Sequence, residues 1–215
     1  MSAVIFDLDG TLIDSAPDIH ASANVMLGQI GAEPLEYGAV KSFIGNGVPV
    51  LIDRIIAARA LPQPHADLEA LFLAHYNAHS ADLTVLYPQV YEVLSALHRA
   101  GFALGVCTNK PEAPTRAILQ AFDLTQFFSA VIGGDTLAVK KPDPAPLYRA
   151  TTQLGRQHAV YVGDSEVDAQ TATRASLPFA LFTEGYRKSP VADLRHDAAF
   201  ADFAELPAII DRLLS

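Results

Sequence analysis

Two aspartates, Asp7 and Asp9, stand in the run VIFDLDGTLID at residues 4–14, where Val4, Ile5, Phe6, Leu8 and Leu12 mark a strand buried in the middle of a core. Carboxylates are costly there unless something compensates them. Residues two apart on a strand point to the same side, so Asp7 and Asp9 face one way if the strand persists that far. Two such neighbours repel, which leaves a shared proton, a bound cation or a turn that separates them, and Gly10-Thr11 supplies a turn. A third carboxylate, Asp164 in VGDS, ends another apolar run. With Asp7 and Asp9 it makes an oxygen-rich set suited to Mg²⁺, which takes a few carboxylates and keeps waters and substrate phosphate in its shell. Lys141 of KKPDP adds a positive charge to the set, whereas any one of these aspartates alone would only cap a turn or helix.

The elements that must position these groups are legible as alternating patterns. After VIFDLD, apolar runs recur at 102–109, 130–135, 158–165 and 179–185, and helix-period segments lie between them at 88–101, 111–124, 142–155 and 166–177. That alternation predicts an α/β fold with a doubly wound parallel sheet. The strand candidates end in polar clusters, Asp7/Asp9, Thr108/Asn109, Asp135 and Asp164, and ligands of such sheets bind beyond the carboxyl ends of the strands. Residues 14–85 break the alternation with three helix-like stretches, at 21–30, 48–61 and 67–79, separated by Gly- and Pro-containing breaks. The expected organisation is a core of residues 1–13 and 86–215 with a helical cap domain, 14–85, inserted after the first strand.

The chain of 215 residues is half apolar and carries a net charge of −9, with no basic stripe, which argues against a nucleic-acid partner. No stretch approaches a membrane span and no leader pattern opens the chain, so a cytoplasmic protein is expected. Cys107 is the single cysteine, which excludes a disulfide framework, and a C-x5-R phosphatase motif fails because position 113 is alanine. His75 and His79 have a zinc-like i, i+4 spacing but lack the glutamate of HExxH. Gly45-Asn46-Gly47 lacks the third glycine of a dinucleotide loop and is expected to be a turn between helices of the insertion.

Taken together, four stretches resemble the haloacid dehalogenase-like hydrolase superfamily: Asp7-Leu8-Asp9-Gly10-Thr11-Leu12-Ile13, Gly105-Val106-Cys107-Thr108-Asn109-Lys110, Lys140-Lys141-Pro142-Asp143-Pro144, and Gly163-Asp164-Ser165-Glu166-Val167-Asp168. They occur in the superfamily's order and extend the resemblance over the whole chain, with a Rossmann-like core and a helical cap. The resemblance implies that Asp7 is a nucleophile that forms an aspartyl-phosphate and that Asp9 is the general acid and base. Asp9 argues for phosphate-ester chemistry, because dehalogenases and phosphonatases of the superfamily lack an aspartate there. The same resemblance assigns Thr108 and the Asn109 amide to the phosphate oxygens and Lys141 to offsetting charge between nucleophile and phosphate, with Lys140 as an alternative. It places Mg²⁺ on Asp7, the Asp9 carbonyl and Asp164, with Asp168 supporting a metal-bound water.

Within the superfamily, the segment 42–48 with Leu51 and Arg54, the stretch 132–147 and Thr183-Glu184-Gly185-Tyr186 are similar to phosphoglycolate phosphatases. Gly45, Asn46, Gly47 and Arg54 are then the cap residues expected at the substrate. Ser176 and Glu184 depart from that pattern, standing where a glycine and an aromatic residue are common. The implied partner is a small-molecule phosphate ester, with sugar phosphates, N-acetylmuramate 6-phosphate and pyrophosphate as rivals to 2-phosphoglycolate, and the chain is expected to be a monomer or homodimer. A phosphomutase like beta-phosphoglucomutase and a phospho-receiver module are the further alternatives.

Overall fold

In the computed structural model, which describes residues 2–156 and 158–215, the first apolar run becomes strand β1, Ala3–Phe6. Its four residues are buried because both faces are covered: Val4 and Phe6 pack into one apolar cluster, Ala3 and Ile5 into another on the opposite side. The chain then forms β2, Ile13–Asp14, and four helices, α1 (Ala16–Gln29), α2 (Tyr37–Phe43), α3 (Val48–Arg59) and α4 (His65–His79). Strand β3, Val85–Leu86, returns antiparallel to β2 and closes this insertion with a two-stranded ribbon.

Beyond the insertion the alternation is regular: α5 (Val90–Arg99), β4 (Ala103–Cys107), α6 (Glu112–Ala121), β5 (Phe128–Ile132), α7 (Ala145–Leu154), β6 (Ala159–Gly163), α8 (Glu166–Ala175), β7 (Phe179–Phe182), β8 (Ala198–Phe200) and α9 (Leu206–Leu213). The main sheet runs β5-β4-β1-β6-β7-β8 with every adjacent pair parallel. The expected doubly wound sheet is therefore what the chain forms. Three- and four-residue spacing decides which helices cover which face: Val90, Val93, Leu94 and Leu97 of α5 join α6 and α9 on the Val4/Phe6 side, while α7 and α8 cover the Ala3/Ile5 side. From β1 the order moves outward through β4 and β5, then restarts on the other side with β6. The crevice at the carboxyl end of β1 is thus the topological switch point.

The insertion has its own core, built on Ile19, Met26, Ile52, Ile55, Phe72 and Tyr76. Its entry and exit are clasped together by Asp18, a buried carboxylate near the start of α1 that accepts bonds from the amides of Leu83 (3.0 Å) and Thr84 (2.8 Å) and from the Thr84 hydroxyl (2.7 Å). Elements with weak sequence patterns were not anticipated: helix α2, the two-residue strands β2 and β3, and β8, whose Ala198-Ala199-Phe200 is too short to show a period.

The β8 edge is locked by an aromatic group. Phe182 is buried with ring centroids 4.9 Å from Tyr87 and Phe203 and 5.4 Å from Phe200. Phe182→Ala should cost about 3–5 kcal/mol, the usual range for a large-to-small change in a packed aromatic core, measured as a lower urea midpoint. A loss below about 1 kcal/mol would mean that the group does not hold this edge.

Candidate active site

Strand β1 ends at Phe6, so the alternation expected to align Asp7 with Asp9 stops before it reaches them. The Asp7 amide still donates to Val162 of β6 (2.9 Å), but the chain then coils into a turn in which the Leu8 carbonyl accepts from Thr11, Leu12 and Ile13. Gly10 sits in this turn at φ +86°, a conformation that favours glycine. Of the three arrangements open to the pair, the turn applies. It sends the Asp9 carboxylate to Ser15 (2.6 Å) and Lys110 (2.9 Å), away from Asp7.

Asp7 remains with Asp164 and Asp168, and one oxygen from each lies within 4.8 Å of the others. Lys141 is the ammonium among them. Its Nζ donates to Asp168 Oδ1 (2.7 Å) and the Tyr161 hydroxyl (2.8 Å), and lies 2.9 Å from Asp7 Oδ1. Tyr161 also bonds Asp168 Oδ1 (2.7 Å), while Asp168 Oδ2 accepts from the Ser165 hydroxyl (2.6 Å) and the amides of Ser165 (3.1 Å) and Asp164 (3.2 Å). Both oxygens of Asp168 are therefore engaged, and with Ser165 it also forms the capping box of α8. Asp168 anchors the lysine, and it also belongs to the group of three carboxylates that could hold a metal ion. Asp7 Oδ1, although close to Lys141, is buried without a hydrogen bond of good geometry.

The charges follow from this sharing. Burial would raise Asp168, but the Lys141 ammonium and the bonds from Lys141, Ser165 and Tyr161 outweigh it and hold this carboxyl below its ordinary value. Burial lifts Asp7 to about 7, opposed by Lys141 and reinforced by the charge of Asp168. Burial also pushes Asp164 well up, and the charges of Asp168 and Asp7 add to it, despite bonds from the Thr11 hydroxyl (2.7 Å) and the Tyr186 amide (2.6 Å). Two carboxylates are thus left short of positive charge. A divalent cation held by Asp7 and Asp164 would supply it, so the donor set fits a hard metal ion such as Mg²⁺.

Thr108 and Asn109 follow β4 at the same end of the sheet, both buried. The Asn109 side-chain amide donates to the Lys141 carbonyl (3.0 Å) and across to the Gly45 carbonyl (3.1 Å), which brings the Gly45-Asn46-Gly47 loop of the insertion onto the core. Gly45 and Gly47 line one small cavity with Asp7, Asp9, Thr108 and Asn109, and Asn46 lines a second beside Asp164. Arg54 lines neither cavity: its guanidinium donates to the Phe43 carbonyl (2.6 Å) and Asn46 Oδ1 (2.9 Å), contacts that brace the loop. Lys140 lies by Gly47, away from the Asp7 cluster that Lys141 enters.

The contacts of four residues, Lys110, Tyr76, Tyr161 and Tyr186, are not visible in the sequence patterns. Lys110 is buried against Asp9 and the hydroxyl of Tyr76 from α4, Tyr161 joins Lys141 to Asp168, and Tyr186 carries its amide to Asp164 and its hydroxyl to Asp14 (2.7 Å) at the start of the insertion. A tyrosine inside an otherwise apolar run, as in AVYVG, was the available signal, since a buried phenol needs a partner. Cys107 is buried with its thiol pushed up to about 12 by burial, an inert packing residue. The His75 and His79 rings stack at 4.4 Å, but His75 bonds Ser22 and His79 bonds Asp82.

A buried aspartate directly after the central strand at the switch point, a second aspartate paired with a lysine and a buried lysine shared with a carboxylate cluster fit a hydrolase class. The chain belongs to the haloacid dehalogenase-like hydrolases, whose family pattern it matches over residues 4–182. It is 50% identical over the full length of both chains to a phosphoglycolate phosphatase of Cereibacter sphaeroides, and 44% identical to one of Rhodobacter capsulatus, covering 97% of this chain and 96% of the relative. Among solved structures, a crystal structure titled as a predicted phosphoglycolate phosphatase from Haemophilus somnus superposes with a TM-score of 0.92 at 33% identity, covering 97% of each chain. No described helix is long and apolar enough to cross a membrane.

Tyr186 reaches Asp164 only because residue 185 is glycine: a Cβ there would meet the Gly10 carbonyl oxygen at 2.3 Å and Asp164 Cβ at 2.4 Å. Gly185→Ala should therefore displace Asp164 and lower kcat roughly 100-fold, the scale of a 1 Å misplacement. A kcat within about twofold of wild type, where the change should cost more than a kcal/mol of barrier, would show that this approach does not set the site.

Proposed function

We propose that the chain is a Mg²⁺-dependent phosphomonoesterase that converts 2-phosphoglycolate and water to glycolate and phosphate. The observation that carries the reaction class is Asp7 itself: a buried carboxylate at the switch point, close to a lysine that another carboxylate holds. The names of the close relatives support the substrate.

In this reading Asp7 attacks phosphorus while Thr108 and Asn109 hold the phosphate oxygens, and Lys141, fixed by Asp168 and Tyr161, offsets charge along the line of attack. Asp9, turned toward the leaving group, gives a proton to the departing oxygen and later takes one from the water that opens the aspartyl-phosphate. Asp7 and Asp164 would hold Mg²⁺ with the Asp9 carbonyl, which accepts no hydrogen bond among the described residues. When bound, the ion neutralises these carboxylates and the phosphate. We assign residues 14–85 as a cap that excludes water over this site, with Gly45-Asn46-Gly47 as its contact loop and Arg54 as the brace of that loop. The buried free cysteine suits a cytoplasmic setting.

Asp7→Asn should abolish turnover, because an amide is a far poorer nucleophile, and chelation should silence the wild type until Mg²⁺ is restored. A kcat above about a tenth of wild type in the variant would remove Asp7 from the reaction, since even acid–base losses are typically ~10²-fold. Full activity after exhaustive chelation would remove the metal. Ca²⁺ should inhibit, its larger and looser shell displacing the nucleophile from the phosphate.

A further inference from the structure

The cavity beside Asp9 is mostly apolar, walled by Ile19, Ile44, Val48, Leu51 and Phe72. Among its described lining residues a single one carries positive charge, Lys110, which neither the motif reading nor the reaction scheme employs. Its side chain is 3% exposed, and its Nζ is 2.9 Å from Asp9 Oδ1 and 3.3 Å from Oδ2. It also donates to the hydroxyl of Tyr76, which is 2% exposed and comes from α4 of the insertion, and it lies 4.6 Å from the centre of that ring.

Donors remain unspent in this pair. An ammonium has three N–H groups, of which Asp9 and Tyr76 engage two. The Tyr76 hydroxyl accepts from Lys110, and its own hydrogen meets no acceptor among the described residues. Burial pushes this phenol up to about 12, against the pull of Lys110, so it keeps that hydrogen at neutral pH. A buried ammonium and a buried O–H, side by side in an apolar cavity, make a small anion receptor, because an oxyanion there satisfies both and meets little competition from water. Of the other cations near the site, Lys141 is held by Asp168 and Asp7 and Arg54 by the Phe43 carbonyl and Asn46, while Lys188 lines the neighbouring cavity with Asp164 and Glu166 rather than this one.

We propose that Lys110 and Tyr76 bind the second anionic group of the substrate, a carboxylate one carbon from the ester oxygen. This rests on the phosphatase reading and names how its substrate is selected. The position follows from connectivity: the ester oxygen faces Asp9, and a group on Lys110 lies next to Asp9, the separation that a single methylene spans. A carboxylate on Lys110 also competes with Asp9 for the ammonium, so the correct substrate loosens Asp9 for proton transfer and a neutral ester does not. Tyr76 belongs to the insertion, so the receptor is complete only with the cap over the core.

The test compares kcat/KM for 2-phosphoglycolate and for its neutral isostere, the phosphate ester of glycolamide, in the wild type, Lys110→Met and Tyr76→Phe. Charged hydrogen bonds of this kind are worth roughly 10- to 100-fold, so Lys110→Met should lose about that factor more on phosphoglycolate than on the amide, and Tyr76→Phe about 5- to 10-fold more. The preference for the carboxylate should collapse in both variants. Equal losses on the two substrates would mean that Lys110 acts only through Asp9, and would overturn the proposal. If Lys110→Met does not fold, an unchanged substrate ratio in Tyr76→Phe overturns it alone. A wild type that hydrolyses other phosphate esters without favouring the carboxylate over the amide fails both this receptor and the phosphoglycolate reading, whereas collapse or retention of a real preference in the variants bears on the receptor only.

Discussion

One buried ammonium, Lys141, is shared by two of the three clustered carboxylates, Asp168 and Asp7, and the rest of the site follows from how that single charge is divided. Asp168 takes it with the shorter contact, 2.7 Å against 2.9 Å to Asp7, and with the support of Tyr161, Ser165 and the amide of Asp164. Asp7 and Asp164 are left as under-compensated anions in a place where charge is expensive. Such an arrangement costs stability in the metal-free protein and leaves a carboxylate that is not tied down by its neighbours, which a nucleophile requires.

The fold makes this possible by placing the ends of different strands together. The central position of β1 brings Asp7 beside the ends of β4 and β6, and the turn after Phe6 separates Asp9 so that the two aspartates of the motif meet different lysines, Lys141 and Lys110. The insertion is tied to the same centre through Tyr186, whose amide holds Asp164 and whose hydroxyl accepts from the Ala16 amide (3.0 Å) and meets Asp14, and through Asn109, which bonds the Gly45 carbonyl. The carboxylate cluster and the base of the insertion thereby share residues.

The sheet and the reactive cluster were legible in the sequence because both are written in local patterns: apolar runs ending in Asp7, Thr108 and Asp164, and helix-period segments between them. What was not legible depends on tertiary placement. Asp7 and Asp9 diverge because β1 stops at Phe6, which strand alternation alone does not reveal. Arg54 stands one helical turn from a glycine loop and reads as free for an anion, yet it donates to the Phe43 carbonyl at the end of α2 and to Asn46 Oδ1 of the loop. Lys110 resembles any solvated lysine until β4 delivers it beneath α4, and Tyr76 was masked by the histidines around it in HYNAH. Beside the metal role that the motif implies for Asp168, its hydrogen bonds make it the support of Lys141, which no local pattern shows.

The central claim, that a cation completes an under-compensated carboxylate pair, has a direct thermodynamic signature. Burial lifts Asp7 from 3.8 to about 7 in the folded metal-free protein and pushes Asp164 up as well, so between those values the folded state binds more protons than the unfolded one. Metal-free stability should fall as pH rises from about 4 to about 7, and Mg²⁺ binding should displace the proton and restore what was lost. Calorimetric titration of Mg²⁺ into the metal-free enzyme near pH 6.5, in buffers of different ionisation enthalpy, measures that proton directly. The account predicts net proton release and a larger rise in Tm on adding Mg²⁺ at pH 8 than at pH 5. Binding without proton release, or an equal rise in Tm at both values, would contradict it.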